Sequence, residues 1–165
     1  MQVESNRDYI IHDFTIIDKL RKLWLYYILQ SFLACITLFI LILILGKDKT
    51  VIISAMAATA FIVFSMPKAV SAQTRNVIGG HLIGLATGTV FYYTPFPYYI
   101  EYPLVVGIAI FLMVALDFEH PPAAGTALAV VINEVSFSVF PTIMIAAVVL
   151  SQCRYYLRHQ LRNLV

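Results

Sequence analysis

Apolar residues fill long runs of this chain, and the polar ones are confined to short breaks between them. The first 22 residues are the exception. Ile10, Phe14, Ile17 and Trp24 recur at helical spacing, with Asp13, Asp18, Lys19, Arg21 and Lys22 between them. That pattern predicts an amphipathic helix. Ahead of a membrane span it is expected to lie in the interface plane; a solvated helical extension is the plainer alternative. Leu23–Leu45 carries no formal charge. As a helix it measures about 35 Å, enough to cross a hydrocarbon core of about 30 Å. Trp24, Tyr26 and Tyr27 stand at its start, where interfacial aromatics belong.

A polar loop, Gly46 to Thr50, ends this run. Val51–Met66 is apolar but short, about 24 Å as a helix, and Pro67 stops it. Lys68 to Asn76 is the most polar stretch in the middle of the chain, and Asn76 is expected to N-cap the next helix. That helix, Val77–Tyr93, carries Gly80, Gly84 and Gly88 at four-residue spacing, with Gly79 beside them. Small residues at this spacing let two helix backbones approach closely in lipid. Thr94–Pro103, with three prolines and several aromatics, reads as an external loop anchored by Tyr98, Tyr99 and Tyr102. Leu104–Leu116 is a short apolar run, broken by Asp117-Phe118-Glu119-His120-Pro121-Pro122. Ala123–Ile132 is a short helix of small residues. Val135–Tyr156 is a full span closed by Arg154, Arg158 and Arg162.

The pattern predicts an all-α, polytopic transmembrane bundle of about six hydrophobic helices. Three are short, and two hairpins are interrupted by proline. Residues 1–22 form an N-terminal amphipathic, interfacial segment, 23–156 the transmembrane domain, and 157–165 a short basic cytoplasmic tail.

Composition agrees. The chain is 61% hydrophobic and 12% charged, with a mean hydropathy of +0.85. A water-soluble domain this small buries too little of its chain to hide that much apolar surface. A net charge of +2 gives no reason to expect a nucleic-acid partner. The N-terminus is polar and acidic, without the basic region and short apolar core of a cleaved signal peptide. Cys35 and Cys153 lie far apart in apolar runs, without CxxC or metal-site spacing. Basic residues cluster before Leu23, at Lys68 and Arg75, and after Arg154, whereas Thr94–Pro103 has none. The positive-inside rule then places both termini in the cytoplasm, with Lys47 and Lys49 on the far side. A prokaryotic inner or plasma membrane is the expected location.

One pattern occurs twice, in 51–88 and in 104–132: a short apolar run, a proline break, then a helix rich in small residues. Interrupted segments in corresponding places are a sequence pointer to transporter binding sites, because irregular backbone at membrane depth must be buried or line a wet cavity. Each break precedes a helix N-terminus, which favours anions. The first carries Arg75, Asn76 and, further in, His81; the second carries His120, Pro121, Pro122 and Gly125. Arg75 supplies a planar donor fork suited to oxyanions. The plainer reading makes Arg75 and Lys68 topology signals and His81 a packing residue. Asp117 and Glu119 would repel an anion unless paired. They could instead pair with Arg75 and Lys68, forming a structural ion-pair cluster or a proton relay.

Gln73-Thr74-Arg75-Asn76-Val77-Ile78-Gly79-Gly80-His81, followed by Glu119-His120-Pro121-Pro122-Ala123-Ala124-Gly125, resembles the HPP family of integral membrane proteins, named for the triplet seen here at 120–122. The resemblance spans about Gln30 to Arg154. Thr74 stands where the family often has proline, and Ala-Ala-Gly follows the triplet where Gly-Gly-Ala is usual. Plant members look like nitrite transporters of the chloroplast envelope. The resemblance therefore implies a transporter or channel for a small inorganic anion, nitrite first.

In that reading Arg75 and His120 bind or steer the anion, and Asn76 completes the cradle with backbone N–H groups. His81, with an ordinary pKa near 6.5, carries a co-transported proton. A second reading is a helix-packing subunit of a membrane complex, joined through the Gly79, Gly80, Gly84 and Gly88 face. That face also suggests a homodimer or homotrimer. The third reading, an intramembrane enzyme with His120, Asp117 and Glu119 as acid–base groups or metal ligands, lacks an HExxH or GxSxG motif. No enzyme activity, cofactor or metal is expected.

Overall fold

The computed structural model describes residues 16–45, 50–133 and 139–164, all of them helix and connecting segments. Among the described residues six α-helices follow one another: α1 (Ile16–Leu45), α2 (Thr50–Ser65), α3 (Thr74–Tyr92), α4 (Tyr98–Ala115), α5 (Pro122–Ile132) and α6 (Val139–Leu157). A 3₁₀ turn, Val70–Ala72, lies between α2 and α3. The sequence-predicted all-helical membrane bundle is what forms. Three helices, α1, α4 and α6, are long and apolar enough to cross a membrane, while α2 and α5 are shorter apolar helices. The 11 residues of α5 cover about 16 Å, roughly half a hydrocarbon core.

The centre of the bundle is the close pairing of α3 with α5. Around them stand α2, α4 and α6, and α1 lies outside, against α2 and α6. The outer position of α1 shows in its surface. Only 11% of its Leu20–Ile44 window is buried, and Ile28, Phe32, Phe39 and Leu43 are exposed. Such a face is tolerated in lipid and not in water.

The glycine stripe explains why the central pair can approach so closely. A Cβ at Gly80 would lie 2.6 Å from His120 Cβ, and one at Gly88 would lie 2.5 Å from the Ala127 carbonyl oxygen. At Gly84 it would strike the Ala123 carbonyl, and at Gly79 the Phe118 ring. The stripe is therefore covered by α5 and its preceding hinge inside the same chain. It is not open to a second subunit, because the short helix after the second break supplies the partner that the sequence left unnamed.

Residues 1–15 of the expected interfacial segment lie outside the described residues, and residues 16–22 are helical and continue unbroken into α1. Two local expectations are corrected. Residues 98–103 are not loop: α4 begins at Tyr98, after Pro97 as its N-cap, with Pro103 inside. The amides of Ile100 and Glu101 bond the Pro97 carbonyl (2.9 and 3.0 Å). Pro103 removes one helical hydrogen bond near the helix start, a loss that membrane helices accommodate. Leu104–Leu116 is thus the inner part of a full span. Finally, Asn76 is not an N-cap. Gln73 occupies that position in extended conformation, and Asn76 sits in the first turn, buried.

Both proline hinges and the C-terminal segment meet at one end of the bundle. Arg154 of α6 donates through Nε to the Pro67 carbonyl (2.7 Å). The Leu164 amide bonds the Ser65 carbonyl (2.9 Å). Gln30 of α1 donates through Nε2 to the carbonyls of Phe64 and Arg162 (3.0 Å). Leu161 is buried among Val63, Phe64 and Leu150. The segment after α6 is therefore docked across the end of α2.

Candidate functional site

The site is built by the second hinge. Helix α4 stops in a Schellman turn: the Phe118 amide reaches back to the Met113 carbonyl (2.8 Å) and the Asp117 amide to that of Val114 (3.3 Å). Asp117 takes the left-handed position, φ 59°. Its carboxylate holds Arg75 Nη1 at 2.8 Å, and the guanidinium lies 4.7 Å from the centroid of the Phe118 ring. Asn76 Nδ2 donates to the Glu119 carbonyl (3.4 Å). These contacts fasten the hinge to the start of α3. Pro121 and Pro122 then open α5, with Pro122 as its first residue, where a missing N–H is no loss.

The fastened hinge drives His120 into the bundle. Its ring stands 5.0 Å from that of His81, edge to face, and both side chains are fully buried. Between them sits the hydroxyl of Thr59, from α2, 3.0 Å from His81 Nε2 and 3.1 Å from His120 Nε2. The outer nitrogens are also bonded: His81 Nδ1 to the Thr126 hydroxyl (2.9 Å), and His120 Nδ1 to the Ser71 carbonyl (2.7 Å).

Donor and acceptor roles follow from the end of this chain. A carbonyl only accepts, so His120 Nδ1 carries hydrogen. In a neutral ring Nε2 is then an acceptor, and Thr59 donates to it. The Thr59 oxygen in turn accepts from His81 Nε2–H, which leaves His81 Nδ1 to accept from Thr126. One polarity runs the whole length: Thr126 to His81 to Thr59 to His120 to the Ser71 carbonyl. Three helices, the second hinge and the 3₁₀ turn contribute, and the bundle holds both imidazoles without requiring a charge on either.

Beside His120 lies an open pocket of about 420 Å³, lined by Ile110, Met113 and Val114 of α4 together with Glu119, His120, Pro121 and Ala124. A second recess, between α1 and α6, is lined by apolar residues such as Leu33, Ile40 and Val149 and offers no charged group to a small ion. Of the residues singled out from sequence, Glu119, His120 and Pro121 line the pocket, and His81 stands directly behind His120. Arg75, Asn76, Pro122 and Gly125 do not line it. Arg75 is exposed and ion-paired, and Gly125 faces Ala55 of α2. The expected cross-hinge pairing of Arg75 with an acidic residue is present. Thr59 and Thr126, which organise the histidines, were not singled out. The available signal was a lone hydroxyl in each of the small-residue runs Ala57-Ala58-Thr59-Ala60 and Gly125-Thr126-Ala127.

The transmembrane region of the HPP family matches residues 18–161. The chain belongs to the HPP family. Its similarity to a transmembrane protein of Dictyostelium discoideum is 36% identity over 88 residues, 51% of this chain and 31% of that protein. A second transmembrane protein of the same organism is 31% identical over 91 residues, 53% of this chain and 29% of the relative. The aligned part is thus about a third of the length of either relative. No solved structure matches the chain significantly. This HPP protein is an integral membrane protein, and its family triplet is the hinge that buries His120.

Proposed function

We propose that this HPP protein is a membrane transporter or channel for a small inorganic anion, nitrite in the first instance, and not an enzyme. The observation that carries the reading is the pocket beside His120, at a helix break inside an apolar bundle. Ionisable groups inside membrane proteins mark functional sites by default, and paired helix breaks are where transporters place substrate. The pocket lining favours His120 over Arg75 as the group beside the anion, since Arg75 does not line the pocket and is paired with Asp117. With both ring nitrogens held inside the bundle, His120 would act on the anion through charge and not through a direct hydrogen bond.

In the same reading the hinge end is cytoplasmic. Arg21, Lys22, Lys68, Arg75, Arg154, Arg158 and Arg162 all belong to the helices and hinges that meet there, and positive charge favours that side. Relatives from Dictyostelium lend no support to a prokaryotic membrane in particular. A homodimer or homotrimer belongs to the proposal as well, but its contact would use the exposed apolar faces of α1 or α4. A packing subunit joined through the glycine stripe loses its main support, because α5 covers that stripe.

The test is nitrite uptake into liposomes containing the purified protein, in neutral buffer, with protein-free liposomes measuring the passive entry of the neutral acid. Uptake should exceed that of protein-free liposomes and should fall to their level in His120→Ala. Uptake equal to that of protein-free liposomes would refute transport.

A further inference from the structure

The hydrogen-bond chain has one spare acceptor. Thr59 Oγ1 also lies 3.0 Å from the Ala55 carbonyl of its own helix. While Thr59 donates to a neutral His120, that carbonyl goes unused by the hydroxyl. Adding one proton at His120 Nε2 changes the pattern without moving a heavy atom. His120 Nε2–H now donates to the Thr59 oxygen, the Thr59 hydroxyl turns to the Ala55 carbonyl, and His81 Nε2–H keeps its bond to the second lone pair of Thr59. Every donor still has an acceptor. A proton placed on His81 instead would make Nδ1 a donor to Thr126 and would displace the Thr126 hydroxyl from its partner. The site is thus built to hold one proton, and to hold it on His120 in place of the His81 expected from sequence. It stores the proton and does not conduct it onward, because the chain ends at the Ser71 carbonyl, which cannot pass a proton on.

The surroundings say what that charge is for. Among the described residues, the ionisable groups around His120 are His81 from α3, Glu119 and Asp117 on its own hinge, and Arg75 at the start of α3, paired with Asp117. Lys68 on the other hinge is exposed. Helix α2 has no ionisable residue, and those of α4 (Tyr98, Tyr99, Glu101 and Tyr102) lie at its far end. Among the residues lining the pocket, Glu119 is anionic and only His120 can become a cation. An anion entering this pocket therefore finds its counter-charge only if a proton is present.

We propose that this pocket binds its anion together with one proton, held on His120, so that the pair crosses the membrane without net charge. The inference deepens the transport reading and rests on it for the word "crosses". Joint binding stands separately, and linkage makes it measurable: if protonation favours the anion, the anion must favour protonation by the same factor.

The experiment is histidine side-chain nitrogen NMR of the full protein in nanodiscs, titrated with and without saturating nitrite. The His120 signals are assigned by their loss in His120→Asn. Nitrite should raise the His120 midpoint by about one pH unit, a roughly tenfold tighter hold on the proton. Thr59→Ser should keep that response. An unchanged His120 midpoint would overturn the inference even if liposome uptake were robust. A shifted midpoint without uptake would uphold joint binding and refute transport. In transporting liposomes, uptake that alkalinises the outside one proton per nitrite supports the inference, and uptake without proton movement overturns it.

Discussion

His81 and His120 stand edge to face, 5.0 Å apart at their centroids, and both aim Nε2 at the hydroxyl of Thr59. They come from different hairpins, so the pair exists only when the whole bundle is assembled. Removing the shared hydroxyl should be felt at both rings. In Thr59→Val two buried ring nitrogens lose their partner, at a cost of about 1–3 kcal/mol for each unsatisfied group. Thr59→Ser keeps the oxygen and should unfold within about 1 kcal/mol of wild type. Thermal unfolding in one detergent compares the two. Equal midpoints for valine and serine would show that the hydroxyl does not hold the pair.

The glycines of the protein should divide sharply. A methyl group at Gly84 meets the Ala123 carbonyl, whereas one at Gly107 meets nothing within 4 Å. Gly84→Ala must push α5 away from α3 and should cost about 1–3 kcal/mol, as overpacking does. Gly107→Ala should gain up to about 1 kcal/mol from lost chain freedom. Opposite shifts of the unfolding midpoint are the expected result, and a neutral Gly84→Ala would contradict the close α3–α5 contact.

The contrast between these glycines shows what sequence could convey. Long charge-free runs marked α1 and α6, because crossing lipid demands length and apolarity and little else. The breaks at Pro67 and at His120-Pro121-Pro122 were legible too, since proline acts on its own backbone. The glycine spacing announced close packing but not its partner, which is fixed by the way the two hairpins interlock. Thr59 was hidden for the same reason. A hydroxyl in an apolar run reads as a tolerated small residue until another helix brings two imidazoles to it. Pro103 misleads in the other direction: its local effect points to a loop, whereas one missing hydrogen bond near a helix start is borne by the rest of α4.

Asp117 occupies a left-handed position, φ 59°, that glycine fills more easily. Its ion pair with Arg75 is exposed, with 57% and 73% of the two side chains accessible, so it stabilises by about 1 kcal/mol or less. Asp117→Gly therefore loses a small electrostatic term and sheds backbone strain of about 1–2 kcal/mol. It should unfold at or above the wild-type midpoint. Asp117→Val keeps the strain and loses the pair, and should fall below it. Raising the salt concentration weakens only the wild-type pair and should widen the gap between wild type and Asp117→Gly only slightly, since little of the difference is ionic.

Gln30 ties three segments at the hinge end. It is buried, donates to the Phe64 and Arg162 carbonyls and accepts from the Arg162 amide (3.3 Å). The docked segment has further holds. Leu161 is inserted among Val63, Phe64 and Leu150, and the Leu164 amide bonds Ser65. Gln30→Leu has similar size and suits an apolar helix, so α1 itself should be undisturbed. The loss falls on the Arg162 backbone, whose amide and carbonyl lose their partner near the bundle end. Water can reach that end, so the segment should loosen rather than unfold the protein. Hydrogen exchange at residues 158–164 should accelerate at least about tenfold, matching about 1.4 kcal/mol of local opening. Exchange in α3 and α5 should not change. Leu161→Ala should loosen the same segment through packing alone. If neither substitution alters exchange there, the segment after α6 is not docked as described.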